Sequence, residues 1–187
     1  PIDYAGLAAS ELGNIADRRI YLSMMESVPG LPKLLMEHTG LNSGFMILQY
    51  STAALASENK TLCFPASADS IPTSLGQEDH VSMGAVGVRK SLRIVQNLEK
   101  ILAIEMLTAA QGFDFRKPLK SGVLLEKAHK IIRKQITFAD TDRLFSEDIE
   151  KAIALLQSKT IIKELNLAAQ KHQLDFKNED HELFGIY

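Results

Sequence analysis

No proline interrupts the chain between Gln77 and about Gln111, and apolar residues recur through that stretch at helical spacing. At about 1.5 Å per residue, such a helix is longer than a small domain is wide. Val88, Leu92, Val95, Leu102 and Met106 form one stripe along it; Ile94, Leu98 and Ile101 form another. Two stripes call for apolar neighbours on more than one side, which fits the central helix of a bundle and favours assembly between copies. Gly84 and Gly87 each lower helix propensity by about 1 kcal/mol, so close backbone contact is what they are expected to provide.

The other segments read as further helices. Ile2, Tyr4, Leu7, Ala8, Leu12, Ile15 and Leu22, with Arg19 as a polar exception, predict a helix from Ile2 to about Glu26. Pro29-Gly30-Leu31-Pro32 ends it, because proline lacks an amide donor and restricts its predecessor. A short apolar segment, Leu34 to Met36, stops near Gly40. Asn42 and Ser43 are good N-cap types for a helix to about Lys60, with an apolar face of Phe45, Met46, Leu48, Gln49, Thr52, Ala53, Leu55 and Ala56. A long loop, Leu62 to Gly76, contains Pro65 and Pro72. After a break from Gly112 to Gly122, Leu124, Leu125, Ala128, Ile131 and Ile132 predict an amphipathic helix, with Lys127, Lys130, Arg133 and Lys134 on a solvated outer face. Ser146 is an apt N-cap, with Glu147 and Asp148 in the first turn, for a helix through Leu156 and on toward Lys171, kinked near Thr160. His172 to Tyr187 reads as a polar tail. With no strand pattern, the expected fold is all-α: an elongated helical bundle with one long central helix, a single domain over residues 1–187.

Composition narrows the function. A net charge of −2 carries no basic signature for nucleic acid, and no apolar run approaches the twenty or so residues of a membrane span. Cys63 is the only cysteine, so an internal disulfide is excluded and a reducing, cytoplasmic setting is expected. It reads as a small buried residue rather than a nucleophile. Arg18 and Arg19 read as a solvated face, since no glycine-rich cradle adjoins them. The five histidines show no metal-ligand spacing, and no nucleotide or hydrolase fingerprint occurs. Asp140-Thr141-Asp142 begins like a calcium loop but lacks the glycine and glutamate that would complete one.

The one concentration of reactive groups is Gln77-Glu78-Asp79-His80, where the loop meets the long helix. Ionisable groups at such a junction are accessible and feel the helix dipole. The plainer reading puts Glu78 and Asp79 in the first helical turn as structural charges. Met46 and Tyr50, four apart on one helix face, read from the residues alone as core filler.

Three stretches carry a resemblance: GLNSGFM (Gly40 to Met46), ALASENK (Ala54 to Lys60) and SIPTSLGQEDHVSM (Ser70 to Met83). In this order and at these separations they closely resemble the histidine ammonia-lyases, within the aromatic amino-acid ammonia-lyases. The likeness runs from about Gly6 to about Leu119 and more loosely beyond. It implies that the chain is the C-terminal helical domain of a lyase that eliminates ammonia from L-histidine to give urocanate. Glu78 would hold the imidazole or amine, or help to move a proton. Gln77 would support its placement, and Met46 and Tyr50 would line the ring pocket. Asp79 and His80 would be structural residues at the helix start. Glutamate at position 78 favours histidine, with a tyrosine ammonia-lyase or aminomutase as the alternative. A non-enzymatic helical assembly module is the competing class.

The same likeness implies a methylidene-imidazolone electrophile made by cyclising an Ala-Ser-Gly segment, a tyrosine base, an arginine for the substrate carboxylate, and a homotetramer whose active sites draw on several subunits. No Ala-Ser-Gly occurs here; Ala66-Ser67-Ala68 is the nearest string. The electrophile segment, base and arginine are expected to precede Pro1, so the 187 residues alone are expected to be inactive.

Overall fold

The structure, a computed structural model, describes residues 1–26 and 28–174. Six α-helices follow in order: α1 Ile2–Ser23, α2 Met46–Leu62, α3 Gly84–Phe115, α4 Val123–Gln135, α5 Phe145–Gln157 and α6 Thr160–Lys171. Among the described residues there are only two isolated bridges and no strand. The expected all-α fold is therefore present. The 32 residues of α3 make a rod about 48 Å long, against which α1, α2, α4 and α5 all pack.

Matched contacts fix the direction of the helices. Ile2 meets Gly87, Gly6 meets Ser91 and Ile94, Gly13 meets Ile101, and Arg19 pairs with Glu105, so α1 runs parallel to α3. A Cβ on Gly13 would stand 3.2 Å from Ile101 Cδ1, and one on Gly87 3.1 Å from Ile2 Cγ2. Glycine at both positions lets the two backbones approach closely. Gly84, by contrast, faces only Ser82 of its own turn. Helix α2 is antiparallel to both: its C-terminal Asn59 and Glu58 take hydrogen bonds from Asn97 (2.9 and 2.8 Å), while its N-terminal Gln49 and Thr52 reach Asp17 near the end of α1.

The core forms where this trio meets the later helices, around Ile20, Leu35, Met36, Leu48, Ile101, Ile104, Ile136 and Ala152. Beside it, Asp114 of α3 gathers three side chains at once: Lys117 (2.6 Å), Arg133 (2.6 Å) and the His129 ring (3.1 Å). Arg133 also donates to the carbonyls of Ile136 and Thr137. It therefore points inward rather than joining a solvated outer face.

Several expectations shift. Helix α3 begins at Gly84, not Gln77, so Glu78, Asp79 and His80 precede the helix instead of forming its first turn. Leu144 rather than Ser146 precedes α5, and Ser146 lies inside the helix. The kink near Thr160 is a full break, with Lys159 left-handed between α5 and α6. The apolar residues that predict α1 largely point outward: Tyr4, Leu7, Ile15 and Leu22 are exposed, while Gly6, Ser10, Gly13, Ala16 and Asp17 face α3 and α2. Val88, Leu92 and Val95 of α3 are likewise exposed. The small residues win the interior because they shorten the distance between helix axes. Of the expected tail, residues 175–187 lie outside the described residues.

Candidate active site

Helix α2 is entered through Asn42-Ser43-Gly44, and none of these side chains caps it. Asn42 instead donates to the Glu37 carbonyl. The anion at this helix start comes from ninety-eight positions away: Asp142 accepts hydrogen bonds from the amides of Ser43 (2.7 Å) and Gly44 (2.8 Å), and its own amide donates to Asn42 Oδ1. A carboxylate here satisfies backbone donors and complements the helix dipole. Asp142→Asn, which keeps the shape but puts an amide NH2 against one of those donors, is expected to cost about 1–2 kcal/mol. Urea denaturation measures this, and an unchanged midpoint would contradict the clamp.

Once the entry is fixed, Met46, Gln49 and Tyr50 face the end of α1. They line a cleft of about 340 Å³ together with Tyr21, Met24 and Met25, bordered by Glu26 and Lys33. The lining is thioether and phenol, suited to a flat ring. Gln49 escaped the sequence reading as a site residue, although it stands three after Met46 and one before Tyr50, a spacing that places it on their side of the helix. Its amide nitrogen donates to Asp17 Oδ1 at 3.2 Å, and Thr52 Oγ1 donates to the same oxygen at 2.6 Å. A larger cleft of about 480 Å³, lined by Lys127, Lys134 and Lys151, lies among α4, α5 and α6 and holds none of the candidate residues.

Gln77 and Glu78 sit elsewhere. The loop from Ser70 to Val81 is closed by the Val81 amide donating to Ser70 Oγ at 2.9 Å. Within it, Thr73 and Glu78 exchange backbone hydrogen bonds of 2.9 and 3.3 Å around a turn in which Ser74, Leu75 and Gly76 all have positive φ. Leu75 at the tip is fully exposed, and Gln77, Glu78, Asp79 and His80 are exposed as well. The base is held firmly. Asp3 accepts the amides of Ala66 and Ser67, and the Ser67 hydrogen bonds keep its carboxyl below the usual carboxylate range.

The helix directions separate the two groups. Glu78 lies at the end of the bundle holding the start of α1 and the end of α2; Met46 and Tyr50 lie at the other end. Met46 opens α2 and the loop of Glu78 follows its far end, and the helix itself is 17 residues, about 25 Å, long. Sequence reading gathered four residues into one site, and a single chain brings together only two of them. Among the described residues, no group of three His, Cys, Asp or Glu side chains is placed to hold a metal, and no helix is long and apolar enough to cross a membrane.

Aromatic amino acid lyase is the family that matches residues 1–134. The chain belongs to that family. Over 155 residues it is 52% identical to the histidine ammonia-lyase of Vibrio cholerae, an overlap covering 83% of this chain and 30% of that protein. The crystal structure of histidine ammonia-lyase from Trypanosoma cruzi superposes with a TM-score of 0.85 at 44% identity, covering 88% of this chain and 32% of that one. Tyrosine aminomutase from Streptomyces globisporus superposes at 0.82 with 32% identity, over 94% of this chain and 33% of that one. The chain thus spans about a third of the length of these aromatic amino acid lyase relatives. Helices α1 to α3 and nearly all of α4 fall inside the part matched by the family; Asp142, α5 and α6 fall beyond it.

Proposed function

We propose that these residues are the C-terminal helical domain of a histidine ammonia-lyase, which removes ammonia from L-histidine and leaves urocanate. The observation that carries this reading is the 52% identity to histidine ammonia-lyase, against 32% to tyrosine aminomutase. In it, Met46 and Tyr50 flank the substrate ring, Glu78 holds the imidazole or amine, and Gln77 steadies Glu78. Glu78 is exposed on a loop with a pinned base, so its carboxylate is free to meet a ligand brought by another surface. Helix α2, about 25 Å long, stands between Met46 and the loop that carries Glu78, so we assign the two halves of the site to different copies. A site assembled from copies, as in a homotetramer, brings them together. The outward stripes Tyr4, Leu7, Ile15 and Leu22 of α1 and Val88, Leu92 and Val95 of α3 supply apolar surface for that assembly.

The methylidene-imidazolone of the family would supply an electrophile for the poorly acidic β-proton and the poor leaving group. The residues present do not fit its formation. The nearest string, Ala66-Ser67-Ala68, has alanine in place of glycine, and two of its amides are engaged by Asp3. The electrophile is then contributed by polypeptide outside these residues. We infer a cytoplasmic location from the single, unpaired cysteine.

The test is to express the gene product with its upstream coding sequence restored, beside the 187-residue chain, and to follow the ultraviolet absorbance of the acrylate product. Urocanate from the longer protein alone is expected. Coumarate from tyrosine would change the substrate and keep the family, while neither product from a folded protein would favour a helical assembly module. In the longer protein, Glu78→Gln is expected to lower histidine turnover about 100-fold. Turnover within twofold of wild type would remove Glu78 from the site.

A further inference from the structure

We infer that Gln49 is a specificity-determining residue of the ring cleft and that Asp17 is its positioning residue. This rests on the reading that the cleft of Met46 and Tyr50 receives the substrate ring. Asp17 is 2% exposed, yet it is charged and lies on the inner face of α1. Its Oδ1 takes hydrogen bonds from Thr52 Oγ1 at 2.6 Å and from Gln49 Nε2 at 3.2 Å, and its Oδ2 takes Arg18. An ionised carboxylate only accepts hydrogen bonds, so the Gln49 amide has one allowed orientation: nitrogen toward Asp17, oxygen away from it. Among the described residues Gln49 Oε1 accepts no hydrogen bond, and it is not a buried atom, which leaves it to the cleft that Gln49 lines.

Apart from Glu26 and Lys33 at its border, the cleft is otherwise thioether, phenol and aliphatic carbon, so this oxygen is an acceptor held in one orientation beside apolar walls. A ring bearing an N–H satisfies it. A phenyl ring of similar size would cover it and leave it unpaired, which is the circumstance in which a binding site discriminates most strongly. The preference for an imidazole over a phenyl side chain is therefore set in part on α2, with Asp17 preventing the amide from turning over. Thr52 holds Asp17 from the other side, donating to it while lying one helical turn from Leu48 in the core.

The test uses the longer protein and two competitive inhibitors differing only in the ring, imidazolylpropionate and phenylpropionate. Gln49→Met keeps the side-chain length and removes the acceptor. It is expected to cut the preference for imidazolylpropionate about tenfold while leaving phenylpropionate inhibition unchanged or improved. Asp17→Asn, which is isosteric but tolerates either orientation of the Gln49 amide, should shift the ratio the same way by a smaller factor. Damage to the fold alone would weaken both inhibitors together. An active lyase whose inhibitor ratio is unmoved by Gln49→Met overturns this inference and leaves the lyase reading standing. A longer protein that never makes urocanate overturns both.

Discussion

Replacing Gly44 with alanine is expected to destabilise the chain by about 3–5 kcal/mol, lowering Tm by about 10 °C. Two effects add. Gly44 has φ +57, where a side chain is strained, and its Cβ would stand 2.6 Å from the Leu34 carbonyl oxygen and 2.7 Å from Met36 Cβ. Neither neighbour has room to move: the Leu34 carbonyl accepts the Phe45 amide at 3.1 Å, and Met36 is 1% exposed in the core. Gly40 is the internal control. Its φ is +111, but nothing lies within 4 Å of an added Cβ. Gly40→Ala should carry only the backbone strain, about 1 kcal/mol. Urea unfolding of both variants separates the terms, and equal losses would contradict the packing described for the α2 entry.

Asp114→Ala is expected to cost about 3 kcal/mol at neutral pH, because it leaves Arg133, only 15% exposed in its side chain, with its nearest anion gone. The same cluster makes stability fall in acid. Burial opposes ionisation of Asp114, but hydrogen bonds from Lys117, Arg133 and His129 outweigh it and hold the carboxyl below the usual carboxylate range. A depressed carboxyl contributes stability that is complete above its unfolded value, about 4, and disappears as pH drops through the lower folded value. Asp3, Glu58 and Glu164 are shifted the same way and steepen the fall. Thermal unfolding followed between pH 7 and pH 3 should show a shallower decline for Asp114→Asn than for the parent chain. Parallel curves would mean that the cluster is not coupled to folding.

Helical periodicity and proline placement made the first four helices legible, and α5 with α6 as one kinked helix, because both signals act within a few residues. Orientation was less legible. On α1 the apolar stripe points out and glycine, serine and alanine point in, the reverse of the rule for a lone amphipathic helix. The reversal arises because Gly6 and Gly13 admit α3 and because Asp17 is satisfied by Thr52 and Gln49. Asn42 and Ser43 look like caps, yet Asp142, remote in sequence, provides the anion. Lys127 and Arg133 look alike in sequence; the first pairs with Glu164 at the surface and the second with buried Asp114. The motif residues Met46 and Glu78 were identified as chemistry-bearing, but nothing local states that an antiparallel α2 sets them at opposite ends of the bundle.

That separation is the centre of the account, and subunit complementation in the longer protein measures it directly. One copy would carry Glu78→Ala, and the other Met46→Trp to fill the ring cleft; each alone should form assemblies with little activity. If Glu78 of one copy works with Met46 of another, co-assembly should restore about a quarter of the sites. Recovery near that level is the predicted result. Co-assembled protein as inactive as either parent would mean that both residues serve the same site from one chain, and would contradict this reading.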